Sequence, residues 1–192
     1  MTDGLQSCRH VLLYGPPGAG KLTVARSLGD RHGFRVLDNH LTVDPALRLF
    51  PFGSPEFGRL VEQLRVALLE AAALAGLDVV STLVYASGID DRHVATLVDA
   101  SERNGATVTL VQLAPSAAAL EARIGAPSRR GTQKVTDPAL LRDLLERFDL
   151  RRAARADDLV VDNTTISAES VADLIADHVG PASARDPRPP GV

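Results

Sequence analysis

Five short runs of apolar, largely β-branched residues punctuate the chain: HVLLYG at 10–15, FRVLD at 34–38, DVVSTLVYA at 78–86, TVTLVQL at 107–113 and DLVVDN at 158–163. Their hydrophobicity is continuous rather than alternating, which is the pattern of strands covered on both faces in a parallel sheet. Between them the apolar spacing changes to threes and fours. Over 137–152, Leu140, Leu141, Leu144, Leu145 and Phe148 fall on one helical face, behind Asp137 as N-cap and Pro138 at the first turn. Over 167–179, Ser167 caps a stripe of Val171, Leu174, Ile175 and Val179. A shorter stripe of Val94, Leu97 and Val98 over 90–104 ends at Gly105, a helix terminator.

Strand and helix thus alternate, and right-handed crossovers wind such a chain into an α/β fold with three layers: a doubly wound, parallel, five-stranded sheet between helices. Ligands of such sheets lie beyond the carboxyl ends of the strands. With 192 residues the chain suits a single domain, taken as 1–179. The last residues, 180–192, are too rich in Pro, Gly and charge to pack and read as a disordered tail. Two connections are unusual. Residues 39–60 form an acceptor-side insertion that reads as irregular and holds Phe50, Phe52 and Phe57, three of the five Phe. Residues 125–137 are basic and rich in Gly and Pro. Long connections in compact domains tend to carry function.

Charge narrows the partners. A net charge of −3 gives no backbone-neutralising face, so small molecules are expected rather than nucleic acid. No run reaches the ~20 apolar residues of a membrane helix, and Cys8 stands alone, with no disulfide partner in the chain. The expectation is a soluble, cytoplasmic protein, monomer or homodimer, that does not engage a membrane.

The chemistry is concentrated in Gly15-Pro16-Pro17-Gly18-Ala19-Gly20-Lys21-Leu22-Thr23, between the first strand and a helix. Glycines there let successive N–H groups turn inward around phosphate oxygens, the helix presents its positive end, and Lys21 brings a mobile cation. Leu22 stands where many such loops carry a magnesium-binding Ser or Thr, and Thr23 follows it. This Gly-x-Pro-Gly-x-Gly-Lys-x-Thr arrangement resembles the loop of adenylate kinase. The resemblance implies a P-loop nucleotide-kinase-like protein that uses ATP and Mg2+, with magnesium held largely through waters near Thr23.

Phosphoryl transfer also needs a group for the acceptor and cations around the moving phosphoryl. In VLDNHL at the end of the second strand, Asp38 resembles the acidic residue by which shikimate kinase and similar enzymes hold the acceptor or a magnesium-bound water. His40 is the second candidate base, since imidazole titrates near neutral pH. Asp44, before Pro45, reads as a helix cap. The third strand ends without a carboxylate, displacing any such group to Asp90 or Asp91, which also suit a helix N-terminus. Thr82, Tyr85 and Ser87 are polar groups near that tip. Leu120-x-x-Arg123 followed by Arg129 and Arg130 resembles the segment of shikimate and gluconate kinases that leads into a short mobile lid. That likeness implies Arg129 or Arg130 over the phosphates and Arg123 near adenine or phosphate. VVDNTTIS resembles the last strand and turn of these kinases, which implies backbone contacts from Asn163 and Thr164 to the base. Arg48, Arg59 and the Phe residues suggest an acceptor pocket part cationic and part apolar.

The reading is an ATP-dependent kinase for a hydroxyl of a sugar, metabolite or antibiotic. Two alternatives stay open: a nucleoside monophosphate kinase, and an ATP-binding regulatory protein with slow ATPase activity.

Overall fold

A computed structural model describes residues 8–125 and 135–181. The first strand, β1 (Cys8–Tyr14), is buried along its whole length, as its continuous apolar run requires. It is followed by α1 (Lys21–His32), β2 (Arg35–Leu37), α2 (His40–Leu47), α3 (Pro55–Leu74) and β3 (Val79–Leu83). Then come α4 (Asp91–Glu102), β4 (Ala106–Leu113), α5 (Ala117–Ile124), α6 (Pro138–Arg147), β5 (Leu159–Val161) and α7 (Ala168–Val179). The five strands form one sheet in the order β2-β3-β1-β4-β5, and every pairing is parallel.

Side chains of β1 divide between the two faces of the sheet, as strand geometry demands. Val11 and Leu13 join Val24 and Leu28 of α1, Leu120 and Ile124 of α5, Leu141 of α6, and Val171 and Ile175 of α7. Leu12 and Tyr14 face the other way, onto Tyr85 and onto Val94 and Val98 of α4. Leu69 of α3 packs nearby with Val79 and Leu97. The three layers expected from the sequence are therefore present, with α1, α5, α6 and α7 on one face and α3 and α4 on the other.

The expected helix ends hold where local chemistry decides them. Asp137 Oδ1 accepts from Ala139 N at 2.8 Å, Ser167 Oγ accepts from Ser170 N at 3.1 Å, and Gly105, at φ 91°, follows the end of α4 at Glu102. Three expectations fail. Residues 39–60 are mostly not irregular, because α2 and the first turns of α3 occupy them, α3 capped by Ser54 Oγ accepting from Phe57 N at 3.2 Å. Asp44 is no cap: it lies inside α2, one turn beyond His40. The helix read over 137–152 also stops at Arg147, since Phe148 turns extended and Asp149 Oδ1 gathers the amides of Arg151 and Arg152. Among the described residues no helix is long and apolar enough to cross a membrane. Most of the tail and of the 125–137 connection lies outside the described residues.

Candidate nucleotide and acceptor site

The loop between β1 and α1 takes a backbone course that other residues rarely follow. Gly15, Gly18 and Gly20 have φ of 144°, 86° and 94°, and a Cβ on Gly15 would stand 2.5 Å from the Leu113 carbonyl oxygen. Gly20 occupies the N-cap of α1 without a side chain to bond the first-turn amides, and no acidic residue sits in that turn. Those amides have no carbonyl one turn back to accept them, so the end of α1 keeps its partial positive charge for an anion. Lys21 Nζ donates to the carbonyls of Gly15 at 2.7 Å and Pro16 at 2.8 Å, which arches the ammonium back over the loop. Leu22 is half-buried behind this turn and Thr23 is exposed on α1. The donor set fits a polyphosphate: backbone N–H groups, a helix end and one mobile cation.

A second segment is fastened to the loop. Asn163, after β5, is buried, and its Nδ2 donates to the Ala19 carbonyl at 2.8 Å. Arg123 at the end of α5 bridges the same parts, donating to Asn163 O at 2.6 Å, Thr164 O at 3.3 Å and Ala19 O at 3.4 Å. Thr164 closes the turn, its Oγ1 donating to Asp162 Oδ1 at 2.6 Å and accepting from Ser116 N at 2.8 Å. The hydroxyl and then the N–H of Thr164, both donating to Oδ1, hold Asp162 below the usual carboxylate range. Arg123, Asn163 and Thr164, separate in sequence, are thus brought to one edge of the loop. Asn163 Oδ1 is the one buried side-chain oxygen or nitrogen among the described residues without a hydrogen-bond partner.

Asp38 stands at the carboxyl end of β2, two strands from β1, or about 10 Å at the usual spacing of ~4.8 Å per strand. Its Oδ1 accepts weakly from His40 N at 3.4 Å and Thr82 Oγ1 at 3.5 Å, and its Oδ2 takes no hydrogen bond among the described residues. His40 donates from Nδ1 to Asp44 Oδ1 at 2.9 Å across one turn of α2, which leaves Nε2 as the open ring nitrogen. Asp44 therefore orients His40, a role hidden from the sequence because the residues between them read as a loop.

Other expected groups are placed elsewhere. Asp90 and Asp91 hold their own turn: Asp90 Oδ2 accepts from Ala86 N at 2.8 Å, and Asp91 Oδ1 accepts from Tyr85 OH at 2.7 Å and Gly88 N at 3.0 Å. The Tyr85 hydroxyl is the main cause of the lowered pKa of Asp91. Among the described residues no cluster of three or more His, Cys, Asp or Glu is arranged for a metal ion. Phe57 is buried with Ala46 and Val61, while Phe52 leans on it at 5.2 Å and is 79% exposed. Arg48 and Arg59 are exposed. Arg129 and Arg130 lie outside the described residues.

A strap missed by the sequence reading crosses the same end of the sheet. Asp149 O accepts from Ser87 N at 2.9 Å, Gln112 Nε2 donates to Arg151 O at 2.8 Å, and Tyr14 OH accepts from Ala154 N at 2.9 Å while donating to Asp158 at 2.5 Å. Burial and Asp158 push the Tyr14 hydroxyl pKa well up, so it stays protonated. The strap carries Arg151 and Arg152, both exposed, and the signal for it was the adjacent arginine pair.

The parallel sheet order, the glycine loop and the helices on both faces make this the fold of the P-loop kinases. A putative kinase from Chloroflexus aurantiacus shares it with a TM-score of 0.66 at 17% identity, over 90% of this chain and 99% of that one. Shikimate kinase from Acinetobacter baumannii, solved with shikimate, gives a TM-score of 0.57 at 21% identity, over 93% and 97%. In sequence, the chain is 30% identical over 180 residues to mouse (Mus musculus) threonine synthase-like 1. That match covers 93% of this chain but 23% of the relative, so the chain spans about a quarter of that protein's length. No protein-family model matches the chain.

Proposed function

We propose that the protein is an ATP-dependent kinase that moves the γ-phosphoryl group to a hydroxyl of a small-molecule acceptor. The observation that carries this reading is the pairing of two groups at the carboxyl ends of the strands. One is the N-terminus of α1, without a side-chain cap, with Lys21 arched over its loop; the other is the carboxylate of Asp38, whose Oδ2 takes no hydrogen bond among the described residues. The first suits a polyphosphate and the second a hydroxyl or a water on a metal. Similarity in fold to a kinase solved with its acceptor supports the reading.

In this proposal the loop amides and Lys21 bind the phosphates, with charge accumulating on phosphoryl oxygens met by groups already in place. Asp38 or His40 Nε2 receives the acceptor proton as the new oxygen–phosphorus bond forms and ADP departs. Arg123, Asn163 and Thr164 flank the base, and Arg129 and Arg130 supply further cations. Magnesium, when bound, would neutralise phosphate charge, and Thr23 and Asp38, the latter through water, would help hold it. Nucleotide oxygens and water would provide most of its ligands.

The test is an acceptor screen with mass detection, spanning sugars, hydroxy acids, antibiotics and nucleoside monophosphates, alongside ATP turnover. Turnover that rises only with a small molecule, with a mass gain of one phosphoryl group, is the expected result. One observation favours a slow ATPase that regulates a partner: both acids after β3, Asp90 and Asp91, are occupied by their own turn. Stimulation by a protein and by no acceptor in the panel would establish that reading instead.

A further inference from the structure

Arg9 and Arg65 are the two buried arginines among the described residues, each 7% exposed. They are satisfied differently. Arg9 pairs with the Asp78 carboxylate at 2.6 Å. Arg65, on α3, hydrogen-bonds to neutral groups alone among the described residues: Nε to Thr42 Oγ1 at 3.1 Å, one terminal nitrogen to His93 Nε2 at 2.9 Å, and the other to Asn39 Oδ1. Asp90 acts on it only as a more distant charge, and burial lowers its pKa to about 10, so it remains a cation at neutral pH. Burying a guanidinium without a carboxylate is costly, and a helix-to-helix tie could have been made with apolar side chains.

What this cation grips is the residue between Asp38 and His40. Asn39 is the N-cap of α2 and a residue type that favours capping. Yet it has helical backbone angles, φ −48° and ψ −39°, and its side chain makes no cap. Its Oδ1 is taken by Arg65 instead. Its N–H donates to Thr82 Oγ1 at 3.0 Å, and its carbonyl accepts from Thr42 Oγ1 at 3.1 Å. Thr42 Oγ1 also accepts from Arg65, so the side chain of Asn39 and the hydroxyl on its carbonyl both lead to one guanidinium, while the helical N–H groups of Thr42 and Val43 share that carbonyl. That guanidinium is oriented in turn by His93, whose Nδ1 donates to Glu62 Oε2 at 2.8 Å and whose Nε2 is thereby left to accept.

We propose that Arg65 is the positioning residue of the acceptor side: through Asn39 and Thr42 it sets the backbone from which Asp38 and His40 project. The inference rests on the kinase reading for its catalytic consequence, and on geometry alone for its structural one. A small displacement of a reacting group costs on the order of 10²-fold in rate, which sets the size of the effect.

The experiment compares Arg65→Met, Arg65→Lys, Asn39→Ala and the Arg65→Met/Asn39→Ala double variant in steady-state kinetics and in hydrogen–deuterium exchange. Arg65→Met and Asn39→Ala each lower kcat about 10- to 100-fold, with KM for ATP unchanged within about twofold, and the double variant is no worse than Arg65→Met. Arg65→Lys keeps the charge without the planar fork and stays impaired. Losses that multiply in the double variant, or kcat that stays normal in folded Arg65→Met, would overturn the proposal. Exchange requires no acceptor: residues 38–47 exchange faster in Arg65→Met and Asn39→Ala while residues 15–23 do not change. Unaltered exchange over 38–47 sinks the inference whatever the activity. Faster exchange in a protein that phosphorylates nothing sinks the kinase reading and leaves the positioning role standing. Should Arg65→Met fail to fold, Asn39→Ala, which leaves the α3–α4 tie intact, decides.

Discussion

Asn163 Nδ2 donates to the carbonyl oxygen of Ala19 at 2.8 Å, so the turn after the last strand is fastened to the phosphate loop across 144 residues of sequence. Cutting this tie should act on nucleotide affinity more than on folding. Asn163→Ala removes one made bond together with one unpartnered oxygen, a balance worth about 1 kcal/mol or less in stability. KM for ATP should rise several-fold with the unfolding midpoint nearly unchanged; nucleotide titration and thermal unfolding of the same sample check both.

Lys21 is the one basic side chain on the loop itself. Lys21→Ala should lower the rate of transfer roughly 10²- to 10³-fold, the cost of losing a single preorganised charge-stabilising group. Single-turnover assays with saturating ATP measure this. Full activity would remove the loop from the reaction.

Asp38→Asn should lower kcat by the ~10²- to 10⁴-fold of a lost general base. Near-normal turnover would assign the proton to His40. In that case His40→Asn would carry the loss, and Asp44→Asn, which releases the ring, would carry a smaller one. Initial rates of the three variants separate the cases.

Gly15→Ala tests the loop's shape. The added Cβ meets a backbone oxygen at 2.5 Å, and the residue would be held at φ 144°. Strain of this kind costs about 1–3 kcal/mol, equivalent to a fall in Tm of roughly 2–12 °C for a chain of this size. Calorimetry measures it, and nucleotide binding should weaken in parallel.

His10 supplies a pH dependence. Its ring is buried between Ser81 Oγ at 2.7 Å and Ser101 Oγ at 2.8 Å, and burial drives its pKa down to about 4. The unfolded chain, with an imidazole near 6.5, then binds more protons than the folded one between those values. The stabilisation from neutral His10 is complete above about pH 6.5 and is lost as pH falls toward 4, a loss on the order of 3 kcal/mol. Urea unfolding at stepped pH should show that slope, and His10→Gln should flatten it.

Much of this molecule is written locally. The five apolar runs became five strands because a residue covered on both faces must be apolar whichever way it points, and that requirement needs no knowledge of the neighbours. The phosphate loop was legible for the same reason: three glycines with positive φ and a lysine at a helix start are a local backbone property. So were the caps at Asp137 and Ser167, whose side chains reach only two or three residues along the chain.

Tertiary structure decided the remainder. Residues 39–60 read as irregular because α2 is short, contains Pro45 and is stabilised by burying Ala46 against Phe57 and Val61 rather than by its own propensity. Asp44 could be matched to His40 only once that helix existed. Arg65 was invisible as more than a charge on a long helix, since its partners Asn39, Thr42 and His93 lie 23 to 28 residues away. Their meeting depends on β2 pairing with β3 at the sheet's edge. Sequence by itself determined the five strands, most of the helices and the glycine loop before α1, because those follow from burial and backbone sterics residue by residue. Which carboxylate, imidazole and guanidinium share an edge was settled by strand order, a long-range choice that local chemistry does not encode.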